Sequence, residues 1–314
     1  MIRMTPCPTR SLEKAGSVAE SRHALFVRGL PCWSEPIDLI PLSGGLSNVC
    51  FKVVHGSASF VARLGCDVPA HHVIRNRELE VSKAAAAVGL SPKIAYSQPG
   101  VMVFDFVEGH TFREENVKEN ISRIADIVRN AHQELYKHVR GPAFLFWPFH
   151  IFRDYAQTLR EGASRMMPQL STLLTAVDRL ENDVHPTDLC VCHNDLLAGN
   201  FIDDGNRIWL IDWEYGAYGD PFFDLGNIAA LSDFTRVEET RLLTSYLNRE
   251  PTEADRRRFD AMRCIAQWRE AMWSMVSELH MSVEGVDYVA YTNDHLGRFN
   301  KAYGKYAARY RGTC

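Results

Sequence analysis

Residues 192–227 read CHNDLLAGNFIDDGNRIWLIDWEYGAYGDPFFDLGN. Asp195 follows His193 and Asn194, Asn200 comes five positions after it, and Asp212 closes the apolar run IWLI. The runs 188–192, 200–202 and 207–211 have the length and composition of short strands, so these polar side chains fall in the loops between them. Phosphoryl transfer asks for such a set: an aspartate to take the proton of an acceptor hydroxyl, and an Asn/Asp pair to hold Mg2+ on the phosphates of ATP. The D-x-x-x-x-N spacing, with a strand-terminal aspartate downstream, matches a kinase catalytic loop and its metal-binding aspartate. Each residue alone is also a common turn or cap residue. Their combination carries the reading.

Working outward, the segment 42–64 reads as a glycine-containing turn, a strand at 48–54, a turn at 55–59 and a strand at 60–64, a β-hairpin entered through a glycine loop. In that loop Gly44 and Gly45 let backbone N–H groups approach phosphate, and Ser43, Ser47 and Asn48 add polar side chains. A Gly-Gly pair before a strand is by itself more often a plain turn; its place before this hairpin turns the reading toward phosphate. Residues 73–90, VIRNRELEVSKAAAAVGL, are rich in helix formers and stop at Gly89 with Pro92 just beyond. Apolar runs at 93–96 and 101–107 follow, giving the order β-β-α-β-β. Past Gly109, residues 117–139 carry Ile121, Ile124, Ile127, Val128, Ala131 and Leu135 on one helical face. Helix-like sequence extends to about 180, and resumes over 236–247, 254–280 and 288–308.

Composition narrows the partners. The chain has 314 residues, 46% of them hydrophobic, enough for two units around a substantial core. Its 35 Lys and Arg against 39 Asp and Glu give a net charge of −4, with no basic block, so no nucleic-acid footprint is expected. No stretch approaches the roughly 18 apolar residues of a membrane span, and the opening MIRMTPCPTRSLEKAG lacks the apolar core of a secretory signal. No membrane insertion and a cytoplasmic location are therefore expected, and the oligomeric state is left open. Eight scattered cysteines without a C-x-x-C pair read as reduced thiols.

HNDLLAGN and IDWEY resemble the catalytic loop and the metal-binding segment of the choline/ethanolamine kinase branch of the aminoglycoside-phosphotransferase-like kinases, and the likeness runs from about residue 40 to the C-terminus. The resemblance implies an α+β, bilobal protein-kinase-like fold with a small antiparallel-sheet lobe and a larger, mostly helical lobe. The corresponding division is 1–21 as a flexible tail, 22–108 as a nucleotide-binding lobe and 109–314 as a catalytic and acceptor-binding lobe. It further implies an ATP- and Mg2+-dependent phosphotransferase acting on the hydroxyl of a small cationic aminoalcohol. Asp195 would be the base, Asn200 and Asp212 would hold Mg2+, and Glu214 would reach a second metal or the substrate unless it is a solvated loop carboxylate. His193 would brace the loop, and Asp224 would anchor it from within. Ser43, Gly44, Gly45, Ser47 and Asn48 would line the phosphates. Arg63 would neutralise them, paired with Glu78 in preference to Glu80. Backbone groups near Asp105 and Val107 would read the adenine edge.

The acceptor pocket is expected along IAQWREAMWSMVSELH, residues 265–280. Trp273 matches the second tryptophan of the family's quaternary-ammonium pocket. Glu270, however, stands where the first belongs, and Ser277 replaces the usual glutamine. Losing one aromatic wall weakens the cation–π case for choline, whereas Glu270 would suit a primary ammonium such as that of ethanolamine. Trp268 either restores a wall or belongs to the core, and Tyr215 adds a ring beside the metal segment. Thiamine, an aminoglycoside or a sugar are alternative acceptors on the same chemistry. A non-catalytic nucleotide-binding protein is the third reading, against which the intact Asp195, Asn200 and Asp212 argue.

Overall fold

The computed structural model describes residues 21–42, 48–184, 188–283 and 285–310; Ser43, Gly44, Gly45 and Ser47 of the expected phosphate loop, and all but the last residue of the expected tail, lie outside them. Helix α1 (Arg22–Arg28) precedes strands β1 (Asp38–Leu42), β2 (Val49–His55) and β3 (Ala58–Leu64), then helix α2 (Arg75–Ala87) and strands β4 (Ile94–Gln98) and β5 (Val101–Asp105). The five strands form one antiparallel sheet in the order β1-β2-β3-β5-β4. Alternation along the strands sends Phe51, Val53, Ala62, Leu64, Val101 and Val103 to one face, where Val27, Leu30 and Ile37 cover them. Strand β1 exceeds the β-β-α-β-β expectation. It contains Pro41, which breaks a strand pattern in sequence but is tolerated on a sheet edge.

Helix α2 turns Val81, Ala84 and Ala85 into the second, larger core. That core belongs to the remainder of the chain: β6 (His110–Thr111), α3 (Glu114–Glu119), α4 (Ile121–Glu134), α5 (Pro148–Glu161), α6 (Met167–Asp183), β7 (Cys190–Cys192), β8 (Phe201–Asp203), β9 (Ile208–Leu210), β10 (Ala217–Gly219), α7 (Pro221–Leu231), α8 (Arg236–Leu247), α9 (Glu253–His280) and α10 (Tyr288–Arg309). The single helix expected over 117–139 is two, divided at Asn120, whose side chain donates to Asn116 O at 2.9 Å and competes with continuation. Ile121, Ile124, Val128 and Ala131 are nonetheless buried as one face.

Helix α9 is the axis of this body, buried almost all round from Phe259 to Ser277. A capping box starts it, with Asp255 N–H donating to Thr252 Oγ1 at 3.2 Å and Thr252 N–H donating to Asp255 Oδ2 at 2.8 Å. Helix α7 lies so close to α9 that a Cβ at Gly226 would stand 2.7 Å from the Met262 carbonyl carbon. The fold is thus α+β, an antiparallel sheet followed by a mostly helical body. No helix among the described residues is long and apolar enough to cross a membrane. Cys32, Cys50, Cys190, Cys192 and Cys264 are free thiols, but Cys66 is disulfide-bonded, contrary to the expectation of thiols throughout.

Candidate active site

The loop leaving β7 is held from below by α7. Asp224 accepts His193 N–H through Oδ2 at 2.8 Å and Asn194 N–H through Oδ1 at 2.7 Å, while Asn227 Oδ1 accepts Leu196 N–H at 2.6 Å. Asn194 is left-handed at φ +65°, a conformation its short amide side chain tolerates, and its Nδ2 donates to Tyr215 O at 3.0 Å. His193 Nε2 donates to Ile211 O at 2.9 Å, the bracing role expected of it. Asn200 Nδ2 donates to the Asp195 carbonyl at 2.9 Å, so the two ends of the D-x-x-x-x-N segment are tied together.

The Asp195 carboxylate is buried and accepts from Arg269 Nη1 at 3.0 Å. The same Nη1 donates to Glu270 Oε1 at 2.6 Å, and Tyr291 Oη donates to Glu270 Oε2 at 2.8 Å. Burial pushes the Asp195 carboxyl up to about 8; Arg269 opposes the rise, and Glu270, Glu214 and Asp212 add to it. Arg269 is therefore the group that favours the ionised, proton-accepting form.

A second charge cluster joins the sheet to the helical body. Arg63 on β3 is paired with Glu78 of α2, with Asp212 Oδ1 at 2.7 Å and with Glu214 Oε2 at 3.1 Å. Arg75 Nη1 meets Glu78 Oε2 at 2.6 Å and Glu214 Oε2 at 3.1 Å, Asn48 Nδ2 reaches the same oxygen at 3.3 Å, and Arg77 Nη2 donates to Glu214 O at 2.9 Å. Glu78 is thus the carboxylate that Arg63 meets; Glu80 points elsewhere and pairs with Lys83 at 2.9 Å. Burial works against the Arg63 charge, yet Asp212, Glu78 and Glu214 drive its pKa above the ordinary value. Burial likewise raises Glu214, but Arg63 and Arg75 outweigh it and hold the carboxyl low. Glu214 is not a solvated loop carboxylate. Gly65 makes room for this cluster, since a Cβ there would run into Asn48 Oδ1 and stand 3.0 Å from the Arg75 guanidinium carbon.

Of the expected acceptor residues, Tyr215 and Trp273 come together: Trp273 Nε1 donates to Tyr215 Oη at 3.2 Å, and the Arg269 guanidinium lies 4.4 Å from the Tyr215 ring centre. Trp273 also has the Tyr291 ring centre at 6.2 Å and that of His71 at 5.0 Å. Trp268 is a correction. It is fully buried between Phe152 and Phe299, so it is a core residue and offers no face to a ligand. Glu270 is near Asp195, but its charge is already met by Arg269 and Tyr291, so it is not a free acceptor for an ammonium. At the end of β5, Asp105 N–H donates to Lys93 O at 2.9 Å and Phe106 N–H to Ser59 O at 3.0 Å, whereas Val107 N–H donates to no protein group among the described residues.

The donor set suits Mg2+, which prefers hard oxygens. With Asn200 Nδ2 engaged, its amide oxygen is the atom left for a cation. Arg63 meets only Oδ1 of Asp212, whose side chain is 32% exposed and so can still be reached. Two buried donors, Arg75 Nη2 and Arg269 Nη2, have no acceptor among the described residues, as expected where ligand oxygens belong. Arg75, Arg77, Arg269, Tyr291 and Asn227 were not singled out from the sequence. The available signal for Arg269 was a charged pair, Arg269-Glu270, inside an otherwise apolar helical segment.

A family model described as choline/ethanolamine kinase matches residues 39–259. Protein LicA of Haemophilus influenzae is 26% identical over 220 residues, 67% of this chain and 63% of that protein. The probable ethanolamine kinase of Arabidopsis thaliana is 26% identical over 217 residues, 62% of this chain and 57% of that protein. This chain therefore matches about three-fifths of the length of these relatives. The crystal structure of a choline/ethanolamine kinase family protein from Mesorhizobium loti superposes with a TM-score of 0.73 at 24% identity, covering 90% of this chain and 96% of that one.

Proposed function

The chain belongs to the choline/ethanolamine kinase family, and from that premise we propose that it transfers the terminal phosphoryl group of ATP to the hydroxyl of a small cationic aminoalcohol, choline or ethanolamine, in the cytoplasm. The observation that carries the reading is the buried Asp195 carboxylate held by Arg269 on the loop that also presents Asn200. Asp195 takes the hydroxyl proton as the acceptor oxygen bonds to the terminal phosphorus. The bond from that phosphorus to the bridging oxygen breaks, and the electron pair leaves with the diphosphate. Arg269 orients the base and works against the burial that favours its protonated form. Asn200, Asp212 and Glu214 would hold Mg2+, which would spread the phosphate charge. Arg63, braced by Glu78, and Arg75 supply positive charge toward the phosphates, with Ser43, Gly44, Gly45, Ser47 and Asn48 as the loop over them. Asp105 and Val107 would read the adenine, the free N–H of Val107 serving as donor. On this reading 22–108 is the nucleotide-binding lobe and 109–314 the acceptor lobe.

Trp273 and Tyr291, both half-buried, offer ring faces beside Tyr215. With Glu270 already engaged, these faces favour a methylated over a primary ammonium, by cation–π attraction of roughly 0.5–2 kcal/mol. Turnover of Mg-ATP should be followed with choline, ethanolamine, thiamine, kanamycin and glucose. The expected result is activity with the aminoalcohols, greatest with choline, and its loss by a factor of about 10² or more in Asp195→Asn while ATP affinity is kept. Measurable ATP binding with no turnover of any acceptor would overturn the kinase reading.

A further inference from the structure

Behind the catalytic loop, strand β7 meets helix α4. Residues two apart on a strand point to the same side, so Cys190 and Cys192 both face α4, with their sulfurs 3.5 Å apart. There they meet His132, and one ligand atom from each of the three residues lies within 4.8 Å of the others. His132 Nε2 is 3.0 Å from Asp224 Oδ2, and its Nδ1 is 2.8 Å from Tyr246 Oη. Cys192 and His132 are buried, whereas Cys190 is half-buried and opens the cluster to solvent.

We propose that His132, Cys190 and Cys192, with Asp224 at the fourth corner, form a binding site for a thiophilic divalent cation of the Zn2+ class. A tetrahedral centre with bonds of about 2.3 Å to sulfur and about 2.0–2.2 Å to nitrogen and oxygen sets the S···S separation near ~3.8 Å and N···O near ~3.4 Å. The distances of 3.5 Å and 3.0 Å fall a few tenths of an ångström short, so a cation would push each pair slightly apart; Asp224 lies outside the set of ligand atoms within 4.8 Å of one another, so its carboxylate must also shift toward the sulfurs. On binding, the two thiols give up their protons to solvent, the imidazole keeps one proton, on Nδ1, and the hydrogen bond between Nε2 and Asp224 is exchanged for a bond from each to the cation. Nδ1–H then donates to Tyr246 Oη and fixes the ring. Because Asp224 also accepts from His193 and Asn194, the cation would stiffen the loop that carries Asp195.

The chelator-treated full chain should be titrated with Cd2+ alone, without nucleotide. A thiolate-to-cadmium charge-transfer band should saturate at one equivalent, disappear in Cys190→Ser and persist in Cys264→Ser, whose thiol lies elsewhere. In the wild-type chain loaded with one equivalent of Zn2+, the zinc K-edge spectrum should fit two sulfur and two nitrogen or oxygen neighbours. That second measurement does not depend on any variant folding. Absence of the band, its retention in Cys190→Ser, or a zinc shell with fewer than two sulfurs would overturn the proposal.

Discussion

His71 shows what this interior does to a single ring. Burial first, then the positive charge of Arg269, depress its pKa to about 3, so the imidazole is neutral where it bonds to Ser277 Oγ at 3.0 Å. In the unfolded chain the same ring titrates near ~6.5. Below that value the unfolded state binds the extra proton and the native state does not. The stability tied to this ring is complete above about pH 6.5 and drains as the pH falls toward about 3. Thermal unfolding of wild type and His71→Gln should be compared at about pH 7.5 and about pH 5. The wild-type advantage should shrink on acidification, and an equal advantage at both values would show that His71 does not titrate as described.

At the scale of the element, the short loop after β7 owes its shape to α7 more than to its own sequence. Asp224 and Asn227 stand one turn apart on that helix and receive three of the loop's N–H groups. Asp224→Ala strands two buried backbone N–H groups and the His132 ring, and frees the loop. Misplacing a base by an ångström costs on the order of 10² in rate, so kcat should fall by about that factor, ATP affinity should hold, and Asp224→Asn should recover part of the loss. Steady-state kinetics beside far-ultraviolet circular dichroism would check this, and an unaltered kcat would detach α7 from the loop's geometry. This element also marks what the sequence made legible. His193, Asn194, Asp195, Asn200 and Asp212 were readable because their spacing lies within one stretch of chain. Arg269 was not, because its partner is 74 residues away. The break at Asn120 and the edge strand through Pro41 also escaped, since each rests on a local hydrogen bond or on an edge position that periodicity does not report. The sequence matches Trp273 to the pocket and leaves Trp268 open between a wall and the core; only packing decides for the core at Trp268 and leaves Trp273 half-buried.

Across the whole molecule, Glu214 is the joint. It lies between β9 and β10 in the helical body and meets Arg63 from the sheet and Arg75 from α2, while its carbonyl takes Arg77. Glu214→Gln would leave two buried guanidinium groups short of a counter-charge. Breaking one side of a buried pair costs about 3–5 kcal/mol, offset here by the remaining Glu78 and Asp212. Hydrogen exchange should report a loss of a few kcal/mol, with β2 and β3 exchanging ahead of α9. Uniform exchange across both regions would show that the joint is not where they part.

The pairs that build this joint span great lengths of chain: Arg63 and Asp212 are 149 positions apart, Arg75 and Glu214 139. Contacts of such separation form late, after local helices and hairpins have been made. During synthesis Arg63 and Arg75 therefore emerge with Glu78 as their shared carboxylate and wait for two-thirds of the protein before Asp212 and Glu214 complete the cluster. In that interval two guanidinium groups share one carboxylate, and the face that will meet the helical body stays open to unintended partners.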